Sequence, residues 1–250
     1  MQRIVVLNPK GGSGKTTISI NLASHFALRG EHPVLMDYDM QGSATDWVRR
    51  RTGAQPSIQF FSMFERGAYG SRIFEPRDSE EAGRVIVDTP AAVDVTAMLE
   101  LIQGADKILI PVLPSRIDIH ACARCIEQLL LVAKVKRRDN RLGIIANRVR
   151  RNTVSYQSLV RFLETLGLPI VATLRDSQHY VRAAELGTGL GELMPRNFDE
   201  DLTQWESLYN WLNAPATRSS SVSNVSATRR LERRYLAPTP SNELRPTRIK

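Results

Sequence analysis

The sequence is short of cysteine, of acidic side chains and of long apolar runs, and each shortage closes off a class of protein. Two cysteines in 250 residues cannot build the disulfide framework of a small secreted domain. They form a single C-x-x-C, Cys122 and Cys125, in a stretch that reads as helix from Ile117 to Lys136. On a helix this i, i+3 spacing puts both thiols on one face, as two metal ligands or as two small buried hydrophobes. A four-ligand site would need further donors, from His120 or a second subunit, so packing in a core is the simpler expectation. No stretch approaches the roughly 20 apolar residues of a membrane span. The first strand begins at once, so no secretory leader is expected and the default compartment is the cytoplasm.

Acids are outnumbered, 26 Asp and Glu against 34 Lys and Arg, for a net charge of +8. The imbalance is local. From Ala214 onward Arg218, Arg229, Arg230, Arg233, Arg234, Arg245, Arg248 and Lys250 face only Glu232 and Glu243, which leaves +2 for residues 1–213. That tail is rich in Ser, Thr and Pro and poor in large apolar residues, the composition of a disordered segment. Residues 1–213, in a chain that is 42% hydrophobic, suit one α/β domain with a substantial core.

What the chain does contain starts at Lys10. The run Lys10-Gly11-Gly12-Ser13-Gly14-Lys15-Thr16-Thr17 is a variant of the phosphate-cradling template G-x-x-x-x-G-K-[ST]. The glycines allow a tight fold in which successive N–H groups converge on phosphate oxygens. Lys15 supplies a cation for the β- and γ-phosphates and the Thr16 hydroxyl can ligate Mg²⁺. Lys10 is an extra cation that an ordinary phosphate loop does not need. The context is correct: Ile4 to Leu7 reads as a buried strand, and Thr16 to Arg29 as a helix with Ile18, Leu22, Ala23, Phe26 and Ala27 on one face.

Carboxylates follow at strand ends. Pro33 to Met36 leads into Asp37-Tyr38-Asp39-Met40-Gln41-Gly42-Ser43, and Val85-Ile86-Val87 into Asp88. In a parallel sheet ligands bind beyond the carboxyl ends of strands, so these acids fall beside the phosphates. Apolar residues followed by Asp form the Walker B pattern, in which the carboxylate reaches the metal directly or through water. Strands at Lys107–Val112 and Leu142–Ala146 come next, the second ending in Asn147, whose amide suits a purine edge or simply closes a strand. Helices at Val154–Leu166, Tyr180–Glu185 and Asp199–Trp211 complete a β-α-β-α order. The expected fold is a single doubly wound, mostly parallel sheet with helices on both faces.

With K-G-G-S-G-K-T-T, D-Y-D-M-Q-G-S and V-I-V-D-T-P in this order, the chain resembles the ParA/MinD group of deviant Walker A P-loop ATPases over residues 1–213, and within it the small ParA type. The resemblance implies ATP and Mg²⁺ as cofactors. Lys10 matches the signature lysine that reaches the ATP of a partner subunit in a sandwich homodimer. Gly11, Gly12, Ser13, Gly14, Lys15, Thr16 and Thr17 would hold phosphate, with Thr16, Asp37 and Asp88 around the metal. Asp39 matches the acid that orients attacking water, although Met40 stands where the family usually has proline. Asn147 falls at the adenine position. A proline that usually helps hold the base is missing from Leu174-Arg175-Asp176-Ser177-Gln178.

The resemblance also implies a slow, partner-stimulated ATPase, cytoplasmic and nucleoid-associated, whose ATP dimer binds DNA without sequence preference. Arg151 and Arg182 match the DNA-contacting positions, and arginines on one surface give salt-dependent affinity for phosphates. The cargo could be a plasmid, a chromosome or a protein organelle such as a carboxysome, with a ParB-like or McdB-like activator. A MinD-like membrane ATPase is the alternative, but Arg229 to Leu236 offers a thin apolar face before Pro238. An iron–sulfur carrier of the same superfamily is less apt, because its cysteine pair lies after the base-binding strand. The Arg49-Arg50-Arg51 run beside Trp47 reads as an exposed helix end.

Overall fold

The computed structural model describes residues 1–64, 83–193 and 199–214. Residues 215–250, where the disordered-tail expectation falls, lie outside the described residues. In chain order the elements are β1 (Gln2–Val6), α1 (Lys15–Leu28), β2 (Pro33–Asp37), α2 (Ser43–Arg50), β3 (Gln59–Ser62), β4 (Arg84–Asp88), α3 (Val95–Ile102), β5 (Lys107–Val112), α4 (Arg116–Leu131), β6 (Leu142–Val149), α5 (Val154–Leu166), β7 (Ile170–Arg175), α6 (Gln178–Glu185) and α7 (Asp199–Asn213).

The strands form a seven-stranded sheet in the order β3-β2-β4-β1-β5-β6-β7. All the neighbouring pairs are parallel. Strand periodicity explains why both faces must be covered. Val5 and Leu7 of the first strand and its extension join the core under α3, α4 and α5. Ile4 and Val6 point the other way, into the core under α1, α2 and α7. The chain moves from β1 to one side of the sheet, returns at β4 and then crosses to β5. This reversal of strand order beside β1 opens a crevice at the carboxyl ends of the strands, where ligands bind in such sheets.

The main elements match the sequence reading, with differences that have physical causes. Helix α4 stops at Leu131 rather than Lys136. Lys134 takes a left-handed φ of 53°, the Val135 amide bonds back to the Leu129 carbonyl, and Val135 is buried. The apolar spacing that seems to prolong the helix instead folds its end onto the core. Leu174 and Arg175, in the segment that lacks the family's base-holding proline, are the last residues of β7, a strand that the sequence reading does not include. The arginine run is not uniformly an exposed helix end either. Arg50 is exposed, but the Arg51 side chain is only 9% exposed. It donates to both Glu192 carboxylate oxygens at 2.9 and 2.7 Å, to the carbonyls of Gly187 and Pro56, and lies over the Trp47 ring.

Removing one partner of such a buried pair strands the other charge. Arg51→Ala should therefore cost about 3 kcal/mol in urea unfolding, whereas Arg50→Ala should stay within about 0.5 kcal/mol of the parent.

Candidate phosphate-binding site

Helix α1 begins differently from the helices that follow α2. Helices α3, α4, α5 and α6 start with Asp94, Ser115, Thr153 and Ser177, each accepting a hydrogen bond from the helix's own first-turn amides. Helix α1 starts at Gly14, with no side-chain cap and no acid in the first turn. Its free N–H groups and positive dipole end face the crevice, the arrangement that binds anions at helix N-termini. Gly12 and Gly14 have φ of 73° and 94°, a region L side chains rarely adopt. A Cβ on Gly14 would lie 2.2 Å from Asn147 Nδ2.

Asn147 explains that crowding. Its Nδ2 donates to the Ser13 carbonyl at 2.8 Å, and its Oδ1 accepts from the Arg148 amide. Strand β6 thus braces the loop through one buried amide. On the other side Asn8, fully buried, donates to the Pro111 carbonyl and accepts from the Lys10 amide. The loop is held between β5 and β6 before any ligand arrives.

The charged groups inside the cradle are poorly compensated. Lys15 is buried, and its Nζ reaches only the Lys10 carbonyl, at 3.3 Å. Burial lowers its pKa, against the pull of Asp88 and Asp39. Asp88 is fully buried and burial pushes its pKa up to about 7; nearby Asp37 adds to the rise, while Thr16, Ser19 and Lys15 oppose it. Ser19 Oγ donates to Asp88 Oδ1 at 3.1 Å, but Asp88 Oδ2 and the Ser13 hydroxyl are buried without hydrogen-bond partners. Orphaned buried polar atoms are rare and call for a missing partner.

The two other acids are placed unequally. Asp37 accepts from the Asp39 amide through Oδ1 and from the Thr45 amide and hydroxyl through Oδ2. It caps α2 from a distance, since Gly42 at that helix start offers no side chain. Its pKa is raised by burial. Asp39 is half-exposed and bonds only the Gln41 amide. A Mg²⁺ ion suits this donor set: the Thr16 hydroxyl, the free oxygen of Asp88 and the phosphates themselves. Among the described residues no group of three or more His, Cys, Asp or Glu side chains converges as a metal site, so a metal here would depend on the ligand it accompanies.

The rim carries the remaining residues. Lys10 Nζ lies 2.6 Å from Asp118 Oδ2, its side chain 34% exposed. Met40, Ile117 and Val154, each following the carboxyl end of a strand, are exposed apolar side chains. Arg151 and Arg182 are exposed, whereas neighbouring Arg148 and Arg150 both pair with Asp176. Cys122 and Cys125 are buried free thiols, and burial pushes both pKa values up to about 12. They pack in the core as expected and offer no thiolate. A cavity of 710 Å³ between α1 and α7, lined by His25, Arg29, Trp205 and Tyr209 among others, sits at the far end of α1 from the loop.

A glycine loop, an uncapped helix start, a buried lysine and an acid at the end of the next strand over define a P-loop nucleotide-binding protein. Comparison with known proteins agrees. Residues 4–190 match the CobQ/CobB/MinD/ParA nucleotide binding domain, and the chain belongs to that family, whose ParA/MinD members are ATPases. It is 31% identical to the maintenance of carboxysome distribution protein A of Gloeobacter kilaueensis over 200 residues, 79% of this chain and 87% of that protein. Among solved structures, apo McdA from Cyanothece superposes with a TM-score of 0.65 at 18% identity, covering 85% of this chain and 99% of that one. A Cyanothece McdA variant in complex with ATP gives a TM-score of 0.59 at 18% identity, over 84% and 96% of the two chains.

Asp88 generates a pH prediction. With its pKa pushed up to about 7, the folded state keeps a proton between about pH 4 and 7 that the unfolded chain loses, so folding stability should fall as pH rises through that window. Asp88→Asn removes that dependence. In urea unfolding without nucleotide, the advantage of the variant should grow by up to about 4 kcal/mol between pH 4 and pH 8; a constant difference would contradict the assignment.

Proposed function

We propose that the chain is a slow ATPase that closes over ATP as a homodimer and positions a protein organelle of the carboxysome type. The observation that supports this most is Lys10: a second lysine at the loop entrance, partly exposed, on a rim whose apolar residues are uncovered. Its own loop has no use for it beyond an ion pair. A second subunit, rotated onto the rim, would bury Met40, Ile117 and Val154 and give Lys10 a phosphate to meet. ATP would then be part of the interface, and linkage would favour the dimer only while triphosphate is present. Hydrolysis would release it, as in other phosphate-held switches.

In this reading Gly11 to Thr17 hold phosphate, with Lys15 neutralising charge. Thr16 and Asp88 would hold Mg²⁺, which would offset the phosphates' negative charge, and Asp37 would support them by fixing the start of α2. Asp39, half-exposed behind Met40, orients attacking water. For Asn147 to touch adenine its amide must release Ser13 or use one oxygen lone pair. Arg151 and Arg182, exposed and unpaired among the described residues, supply non-specific DNA affinity that tethers the dimer to the nucleoid. The cargo class rests on the carboxysome distribution protein of Gloeobacter kilaueensis. An activator protein of the McdB-like or ParB-like kind sets the hydrolysis rate. Among the described residues no helix is long and apolar enough to cross a membrane.

Two experiments test this reading. By light scattering, wild type should double in mass with Mg²⁺–ATP, whereas Lys10→Ala, destabilised by the Asp118 carboxylate it leaves uncompensated but still folded by circular dichroism, should stay monomeric; a full ATP dimer of the variant contradicts the proposal. In gel shifts, DNA should bind with ATP and not with ADP, and Arg151→Ala with Arg182→Ala should weaken it at least tenfold, with a shallower salt dependence. Binding that ignores the nucleotide argues against a gated clamp.

A further inference from the structure

Lys10 is not loose in the single chain. Its ammonium meets Asp118 in the first turn of α4, a residue only 3% exposed. Ser115 Oγ donates to the same Asp118 oxygen, and the other oxygen, Oδ1, is buried with no partner. A carboxylate this buried is tolerated when a cation pairs with it. Lys10 is that cation.

The backbone at Lys10 is fixed while its side chain is not. Its amide is held by Asn8, which is itself anchored on the Pro111 carbonyl. The preceding Pro9 carbonyl accepts from the Ala92 amide. Lys15 Nζ holds the Lys10 carbonyl. The four-carbon stem is flexible, so the ammonium can exchange Asp118 for another anion without moving the backbone.

We infer that Asp118 is a latch for Lys10, a positioning residue that keeps the amine on its own subunit until a triphosphate on a second subunit draws it away. The inference rests on the dimer reading above and adds its threshold. Moving Lys10 across the interface leaves Asp118 buried without its counter-charge, so the destination must offset that loss. Three phosphates offer more negative charge than two, and the latch thereby biases closure toward ATP over ADP. Nucleotide in the chain's own loop acts in the same direction. Phosphate draws Lys15 off the Lys10 carbonyl and removes one restraint on the segment that carries the latch. A pair that served only to stabilise α4 would leave nucleotide preference unchanged.

The test is Asp118→Asn in the full chain, which keeps the side chain's shape and a partner for Ser115 while removing the charge. Two readouts are taken: the rate at which Lys10 is acetylated by an N-hydroxysuccinimide ester, followed by mass spectrometry without nucleotide, and dimer formation by sedimentation with Mg²⁺–ATP, Mg²⁺–ADP or neither. The latch predicts acetylation about tenfold faster, ATP dimers at about tenfold lower protein concentration, and dimers in ADP that the wild type does not form. Ser115→Ala provides a variant of opposite sign: without the hydroxyl Lys10 is the carboxylate's remaining donor, so the dimer should need more ATP. A wild type that dimerises beside an Asp118→Asn chain with the same Lys10 reactivity and the same ATP preference overturns the latch alone. A wild type that binds ATP and stays monomeric overturns the dimer reading and the latch with it.

Discussion

The rest of the structure turns on a buried carboxylate that the fold does not satisfy. Asp88 stands at the end of β4, fully buried, with one oxygen unpartnered, next to a lysine that burial also discourages from its charged form. Desolvating these groups without full partners is costly. The parallel sheet brings them together because β4 lies directly beside β1, register-paired from Gln2 with Arg84 to Val6 with Asp88. The loop after β1 therefore opens beside Asp88. The same loop leads into the bare start of α1, and its Ser13 hydroxyl is buried without a partner. Each feature taken singly is a defect; together they describe a site that phosphate, with the divalent ion of the proposed function, would complete.

The same logic extends to the rim. Asn8 and Asn147 hold the loop from opposite sides, so ligand binding need not organise the backbone. In the proposed dimer what would adjust are side chains: Lys15 between the Lys10 carbonyl and phosphate, Lys10 between Asp118 and a partner. Such a cradle would report the presence of nucleotide through two lysine side chains, without a large backbone change. In the proposed function this separates binding, which uses Lys15, from assembly, which uses Lys10.

Much of this was legible in the sequence because its determinants are local. The glycines, Lys15, Thr16 and the strand-terminal acids occupy fixed offsets, and β5 and α5 have the bounds that apolar periodicity indicates. Short or half-buried elements were not: β3 has only four residues, none of them buried, and α2 has a mean polarity that hides its buried face. The end of α4 was misplaced because Val135 is apolar for a turn rather than for a helix. Side-chain partnerships were beyond the pattern altogether. Nothing in the spacing says that Asp37 caps α2 through Thr45, that Asn147 braces Ser13, that Arg51 is buried against Glu192, or that Asp118 receives Lys10. These join residues up to 141 positions apart, and only packing decides them.

A site that Mg²⁺–ATP completes, with a buried carboxyl that gives up its proton as the metal binds, leaves a direct calorimetric signature. Calorimetric titration of the nucleotide-free protein at pH 6.5, in buffers of different ionisation enthalpy, measures the protons exchanged on binding. Because burial pushes the Asp88 pKa up to about 7, metal binding beside it should expel a substantial fraction of a proton, and Asp88→Asn should abolish that release. Binding with no proton release, or with a release the substitution leaves unchanged, would contradict the account.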